Sequence, residues 1–145
     1  MIRSIRNLLR EYSGASAVEF ALVAPVFLLM LFGMIEFARL FWTTHTLHET
    51  AIATARCMGI PQLECEDGGV YSSDSAVAFA KSKAAGWLIL LDAADIVLDR
   101  SATCHDVAGL SKVRIEYRFT TVVPSFLTSL AGGTQLNVEA CYSNY

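Results

Sequence analysis

The first residue of this sequence whose chemistry needs explaining is a carboxylate at the head of an apolar run. In Tyr12-Ser13-Gly14-Ala15-Ser16-Ala17-Val18-Glu19-Phe20, a short basic leader ends at Gly14 and small residues follow it. Glu19 then stands directly before a stretch, Phe20 to Ile35, that carries no charge. A charge at the centre of a membrane helix costs roughly 2.5–3.5 kcal/mol on insertion scales. Nearer the interface the cost falls, but a buried glutamate still needs a partner. Either Glu19 sits at headgroup level as an interfacial residue, or something outside the apolar run neutralises it.

The second group with chemistry is the set of four cysteines, Cys57, Cys65, Cys104 and Cys141, all beyond the apolar stretch. An even count outside the cytoplasm favours disulfides over free thiols, and four cysteines allow three pairings. The preferred pairing is Cys57–Cys65, closing a short loop with Gly59, Pro61 and Glu64, and Cys104–Cys141, tying the C-terminal strand back. Each bridge stabilises by roughly 2–4 kcal/mol. The competing use, metal binding, rests on His45-x-x-His48-Glu49, which is not the His-Glu-x-x-His spacing of zinc proteases. Cys57 is three helical turns away from it, so no metal site and no cofactor are expected. His105, beside Cys104, reads as a solvated loop residue.

No Ser-His-Asp set, paired carboxylates or Gly-rich phosphate loop accompanies these groups. Asp92, Asp95 and Asp99 lie close in sequence but flank a helix end and a strand, the pattern of a solvated face. The chain is not expected to be an enzyme. From Ala15 onward acidic residues outnumber basic ones, so no basic stripe is offered to phosphate backbones and nucleic acid is not an expected partner.

The elements that position these groups begin with one long helix. At 145 residues there is room for one domain and little more. Its hydrophobic fraction of 54% is high because the excess is concentrated in the Phe20–Ile35 run. A spanning helix needs roughly 20 apolar residues, and extending the run back to Ala15 supplies them with Glu19 as the only charge. The run is longer than the apolar region of a secretory signal and no small-x-small cleavage pattern follows it promptly. Beyond it, Phe37, Leu40, Phe41, Thr44, Leu47, His48, Ala51, Ala55 and Met58 recur at helical steps, with Glu36, Arg39, Thr43, Glu49 and Arg56 on the opposite face. A single helix from about Ala15 to Arg56 is therefore predicted, with residues 15–36 in the membrane and the second half amphipathic. Pro25 removes a backbone donor within the span. Arg3, Arg6 and Arg10 precede the span, which places the N-terminus inside and residues 37–145 outside.

The outer part predicts an α+β domain. Gly68-Gly69 through Ser73 reads as a loop. Asp74 caps a helix to about Leu91, with Val77, Ala80, Ala84, Trp87, Leu88 and Leu91 on one face. Strands are predicted at Ile96–Ala102, at Lys112–Val123 with Val113, Ile115, Tyr117 and Phe119 alternating inward, and at Thr134–Tyr142 with Leu136, Val138, Ala140 and Tyr142 inward. Pro124 ends the middle strand. Ser125–Ala131, with Phe126, Leu127 and Leu130, is either a short helix or a contact surface for another subunit. The small antiparallel sheet needs a cover, and the Phe37–Met58 stripe is available.

The pattern Gly14-Ala15-x-x-x-Glu19-Phe20 resembles the processing site of type IV prepilins. The run Gly14 to Pro25, then Gly33-Met34-Ile35-Glu36, resembles the TadE-like family of tight-adherence (Flp-type) pseudopilins, and Ala53-Thr54-Ala55-Arg56 fits the same family. The resemblance implies a pilin-like fold and a minor pilin's function. A prepilin peptidase would remove residues 1–14 by cutting after Gly14, leaving Ala15 as the mature N-terminus. Glycine there lets the scissile backbone lie extended in a protease cleft. Glu19 would pair with the new α-ammonium of a neighbouring subunit, and Phe20 and Pro25 belong to the same assembly segment. The implied partners are the prepilin peptidase, other pilin or pseudopilin subunits, an inner-membrane assembly platform and membrane lipid. The implied location is the inner membrane, with the C-terminal domain periplasmic and exposed at the cell surface after assembly. The alternative is an unprocessed bitopic anchor or scaffold of an envelope or secretion complex.

Overall fold

The computed structural model describes residues 13–60, 62–121 and 134–144. The basic leader, Pro61, the end of the predicted middle strand with Pro124, and the connection Ser125–Ala131 lie outside them. The chain divides into two compact units, residues 1–38 and 39–145.

Helix α1 runs from Ser13 to Gly59 and contains Pro25. In the first unit its large apolar side chains are all exposed, from Val18 to Ile35. Such a surface is stable only in an apolar surrounding. The helix is long and apolar enough to cross a membrane.

In the second unit α1 buries one face against the rest of the domain. Leu47, Ala51 and Ala55 are fully buried, and Met58 nearly so. This differs from the predicted face in an instructive way. Thr43, Thr46, Thr50 and Thr54 are also buried, whereas Phe41 is exposed. Threonine is tolerated inside because its hydroxyl can return to the preceding turn: Thr54 Oγ1 donates to the Thr50 carbonyl at 2.7 Å. Once the hydroxyl is satisfied, the residue packs as a small β-branched group.

After α1, a 3-10 turn at Leu63–Cys65 leads into a short hairpin, β1 (Glu66–Asp67) and β2 (Val70–Tyr71). Gly68 and Gly69 make its turn at φ 61° and 81°, values that cost glycine little. The loop that the sequence predicts from Gly68 is thus the turn and second strand of a hairpin. Helix α2 spans Ser73–Ala85. Its cap is Ser72 rather than Asp74, the Ser72 hydroxyl accepting from the Ser75 amide. The helix stops six residues before the predicted end at Leu91, and its buried face is the alanine stripe Ala76, Ala80 and Ala84.

A 3-10 turn at Ala93–Asp95 is closed by reciprocal bonds between Asp92 and Asp95, which accounts for two of the three clustered aspartates. Asp99 accepts from the Ser101 amide at 2.8 Å. Three antiparallel strands follow in the order β3 (Ile96–Cys104), β4 (Val107–Arg118) and β5 (Gln135–Ser143). On β4 the predicted alternation holds for Val113 and Ile115, which are buried, but the strand starts at Val107 and ends at Arg118, earlier at both ends than the predicted Lys112–Val123. Val138 and Ala140 of β5 join them in a core shared with Leu47, Ala51 and Ala55 of α1 and the α2 alanines. The result is the α+β, pilin-like arrangement of a long N-terminal helix, one further helix and a small antiparallel sheet.

Two details seal the domain's end. Gly59 closes α1 against β5: a Cβ there would lie 2.6 Å from the Ser143 carbonyl oxygen, a distance no side chain accepts. Asn144 donates from Nδ2 to the carbonyls of Arg100 (2.7 Å) and Gly109 (2.8 Å) and accepts from the buried Ser111 hydroxyl. One amide thereby satisfies groups on two strands. On the exposed sheet face, Lys112 and Arg114 flank Glu139, and their hydrogen bonds hold its carboxyl below its ordinary pKa.

Candidate functional site

The residues singled out in the sequence fall into two separate places. Gly14, Ala15, Glu19, Phe20 and Pro25 lie in the first turns of α1. Gly14 is helical and exposed, with open space where a Cβ would stand. Cleavage in an extended conformation, which the resemblance implies, would require the first turn to unwind. That is inexpensive: the first four amides of a helix have no intrahelical acceptor, and glycine in a helix costs about 1 kcal/mol relative to alanine.

Glu19 and Phe20 are both exposed, Phe20 at 74%. One helical turn to either side, the neighbours of Glu19 are Ala15, Ser16, Leu22 and Val23. None carries a positive charge, so among the described residues the adjacent turns of the helix offer no counter-ion. In lipid the carboxylate must sit at the interface, be neutralised, or meet a cation supplied by another molecule. Pro25 lies a turn and a half further on, and the helix continues through it.

The cysteines form the second group. The structure has the bridges Cys57–Cys65 and Cys104–Cys141, with Cα separations of 5.9 and 6.6 Å. The first ties the last turn of α1 to the 3-10 turn before β1. The second joins β3 to β5, the two strands flanking β4. Alternate strands of a flat sheet lie about 9.5 Å apart. Cys104 pairs with Val107 and Cys141 with Lys112, five residues further along β4, so the bridge also closes an offset along the strands. The register shifts of β3 between Asp99 and Ala102 and between Ala102 and Cys104 mark where the sheet departs from flatness. His45 and His48 are exposed on α1, and among the described residues no group of three or more His, Cys, Asp or Glu is placed to hold a metal ion.

Sequence reasoning missed the surface formed by Trp42, Trp87, Leu88 and Leu90. The two tryptophan rings meet edge to face with centroids 5.4 Å apart, and all four side chains are more than half exposed. The helical period had assigned Trp87 and Leu88 to a buried face. The signal available was Gly86, which ends the helix before them.

A helix fit to cross a membrane, carrying a disulfide-braced α+β domain of pilin-like fold, defines the class of protein. Residues 14–56 match the family model of TadE-like proteins, the family whose pattern Gly14–Glu36 resembles. The matched stretch ends just before Cys57, so the sheet and both disulfides lie beyond it. Curated proteins and solved structures give no match to the chain.

Proposed function

We propose that this chain is a minor pilin, or pseudopilin, of a tight-adherence, type IV-like pilus, and that it has no enzymatic role. The observation that carries the reading is a carboxylate without a local counter-ion, five residues after a glycine that ends a basic leader, inside the segment matching TadE-like proteins. A prepilin peptidase cuts after Gly14 on the cytoplasmic face. The new α-ammonium of Ala15 on one subunit then neutralises Glu19 on its neighbour. This pairing sets the axial register of the packed helices and removes the cost of a charge in lipid. The subunit enters the fibre from the inner membrane through an assembly platform, with its N-terminus cytoplasmic and its disulfide-braced domain outside, where thiols oxidise.

The test is the N-terminal sequence of the protein recovered from membranes and from sheared surface fractions. A chain beginning at Ala15 is expected. A chain that still begins at Met1 in both fractions makes it an unprocessed bitopic anchor and returns Glu19 to an interfacial role. Glu19→Val separates processing from assembly: the variant should be cut after Gly14 yet fail to reach the surface fraction. Normal incorporation would overturn the proposed ion pair.

A further inference from the structure

The turn after α2 is built in a way the domain's own stability does not explain. Its hydrogen bonds, Ile89 N–H to the Ala84 carbonyl (3.1 Å) and Leu88 N–H to the Ala85 carbonyl (2.9 Å), are those of a helix end whose left-handed residue is normally glycine. Here that residue is Leu88, at φ 63°. Its side chain is 94% exposed, while Ile89 and Leu91 on either side of Leu90 are buried at 5% and 4%. The buried pair fixes the turn in the core. Leu88 and Leu90 project from it, and Trp87 beside them rests against Trp42. From Ala84 to Leu91 no residue carries a charge.

What covers this apolar tip follows from where the chain holds it. Trp42 follows Ile35, the end of the apolar run, by seven residues, no more than about 25 Å of chain in any conformation. Trp87 touches Trp42, so the chain keeps the tip within that reach of the bilayer. The headgroup layer itself is several ångströms thick. Tryptophan concentrates at that depth because its ring is apolar and its N–H is polar. We propose that the Trp87–Leu90 turn, braced by Trp42, inserts into the interfacial layer of the bilayer crossed by α1. It forms a second, monotopic membrane contact that holds the outer domain against the lipid surface. This inference requires only that α1 crosses a bilayer. It does not depend on cleavage after Gly14 or on pilus assembly, and it stands or falls separately from them.

The chain contains two tryptophans, Trp42 and Trp87, so tryptophan emission, excited at the red edge where tyrosine does not absorb, reports on this surface alone. The full chain is reconstituted in vesicles of phosphatidylethanolamine and phosphatidylglycerol doped with acyl-brominated phosphatidylcholine. In the Trp42→Phe variant the sole tryptophan is Trp87. Bromolipid should quench it by at least half, with blue-shifted emission and little quenching by aqueous acrylamide. Adding Leu88→Asp and Leu90→Asp, both at exposed positions, should abolish most of that quenching and open Trp87 to acrylamide. Retained near-ultraviolet circular dichroism and intact disulfides check that the domain is folded. Quenching by acrylamide but not by bromolipid before the aspartates are introduced would overturn the proposal. So would bromolipid quenching unchanged by them, which would mean that the helix alone places Trp87 near lipid. Resistance to both quenchers, with Trp87 shielded by a second protein chain, would overturn it as well.

Discussion

Leu88 shows how a single backbone angle separates what a domain needs from what its surroundings need. A non-glycine residue in the left-handed region costs roughly 1–2 kcal/mol. Leu88→Gly removes that strain and returns about 0.4–1 kcal/mol of it as extra freedom in the unfolded chain. The strain is the larger of the two, so the variant should be more stable by roughly 0.5–1 kcal/mol. Thermal melting should show a rise of several degrees for a domain of this size. The same change strips a leucine from the exposed tip and should reduce Trp87 quenching by bromolipid. Gains and losses of opposite sign mark a residue kept for contact rather than for folding. A fall in the melting temperature would mean that Leu88 packs within the domain after all. Glu19 poses the same question in the other unit, since a charge before an apolar run also costs stability unless another molecule uses it.

At the scale of elements, the α1 helix separates periodicity from burial. Its spacing puts Phe41 and Leu47 on one predicted apolar stripe, yet Leu47 is fully buried and Phe41 is 70% exposed. Leu47→Ala should therefore destabilise the domain by about 2–5 kcal/mol, whereas Phe41→Ser should stay within about 0.5 kcal/mol. Denaturant unfolding of the full chain in bilayers, followed by near-ultraviolet circular dichroism, checks both. Equal losses would restore the predicted stripe. The strands were far more legible. Val113, Ile115, Val138 and Ala140 lie where a period of two puts them, because a strand with one covered face has only two registers to choose from. A helix has a continuous choice of face, and here it was decided by threonines at positions 43, 46, 50 and 54, which hydropathy scores as neutral. Helix α2 was misjudged at its end for a related reason: Trp87 and Leu88 continue the apolar period past the point where Gly86 and the turn stop the backbone. The Gly14–Glu19 junction was legible because its residue types are costly in lipid. The tryptophan contact was not, since it joins positions 45 residues apart.

For the whole molecule the decisive quantity is how little core stands behind the C-terminal domain. A domain of this size buries a modest fraction of its apolar surface and commonly relies on covalent bracing. The two bridges do not brace equally. Cys57–Cys65 closes a loop with a sequence separation of 8, and Cys104–Cys141 one of 37. Chain entropy alone assigns them about 2.5 and about 4 kcal/mol. Position widens that difference. The first bridge fastens a turn that already carries local hydrogen bonds, as in Cys65 N–H to the Gln62 carbonyl at 3.0 Å. The second secures β5, which follows a long connection and brings Val138 and Ala140 into the core. The exposed ion pairs of Glu139 cannot substitute for it. The depressed pKa of Glu139 makes its contribution present above the ordinary carboxylate range and lost as pH falls through the folded value, and exposure and salt keep it small. Replacing both Cys104 and Cys141 by serine should therefore lower stability more than replacing both Cys57 and Cys65. Amide exchange should rise first along Gln135–Ser143 in the former variant and around residues 60–71 in the latter. If both variants lose the same small amount and β5 stays protected, the apolar core is sufficient by itself. The bridges would then be bracing the domain against mechanical load or proteolysis, and not against unfolding.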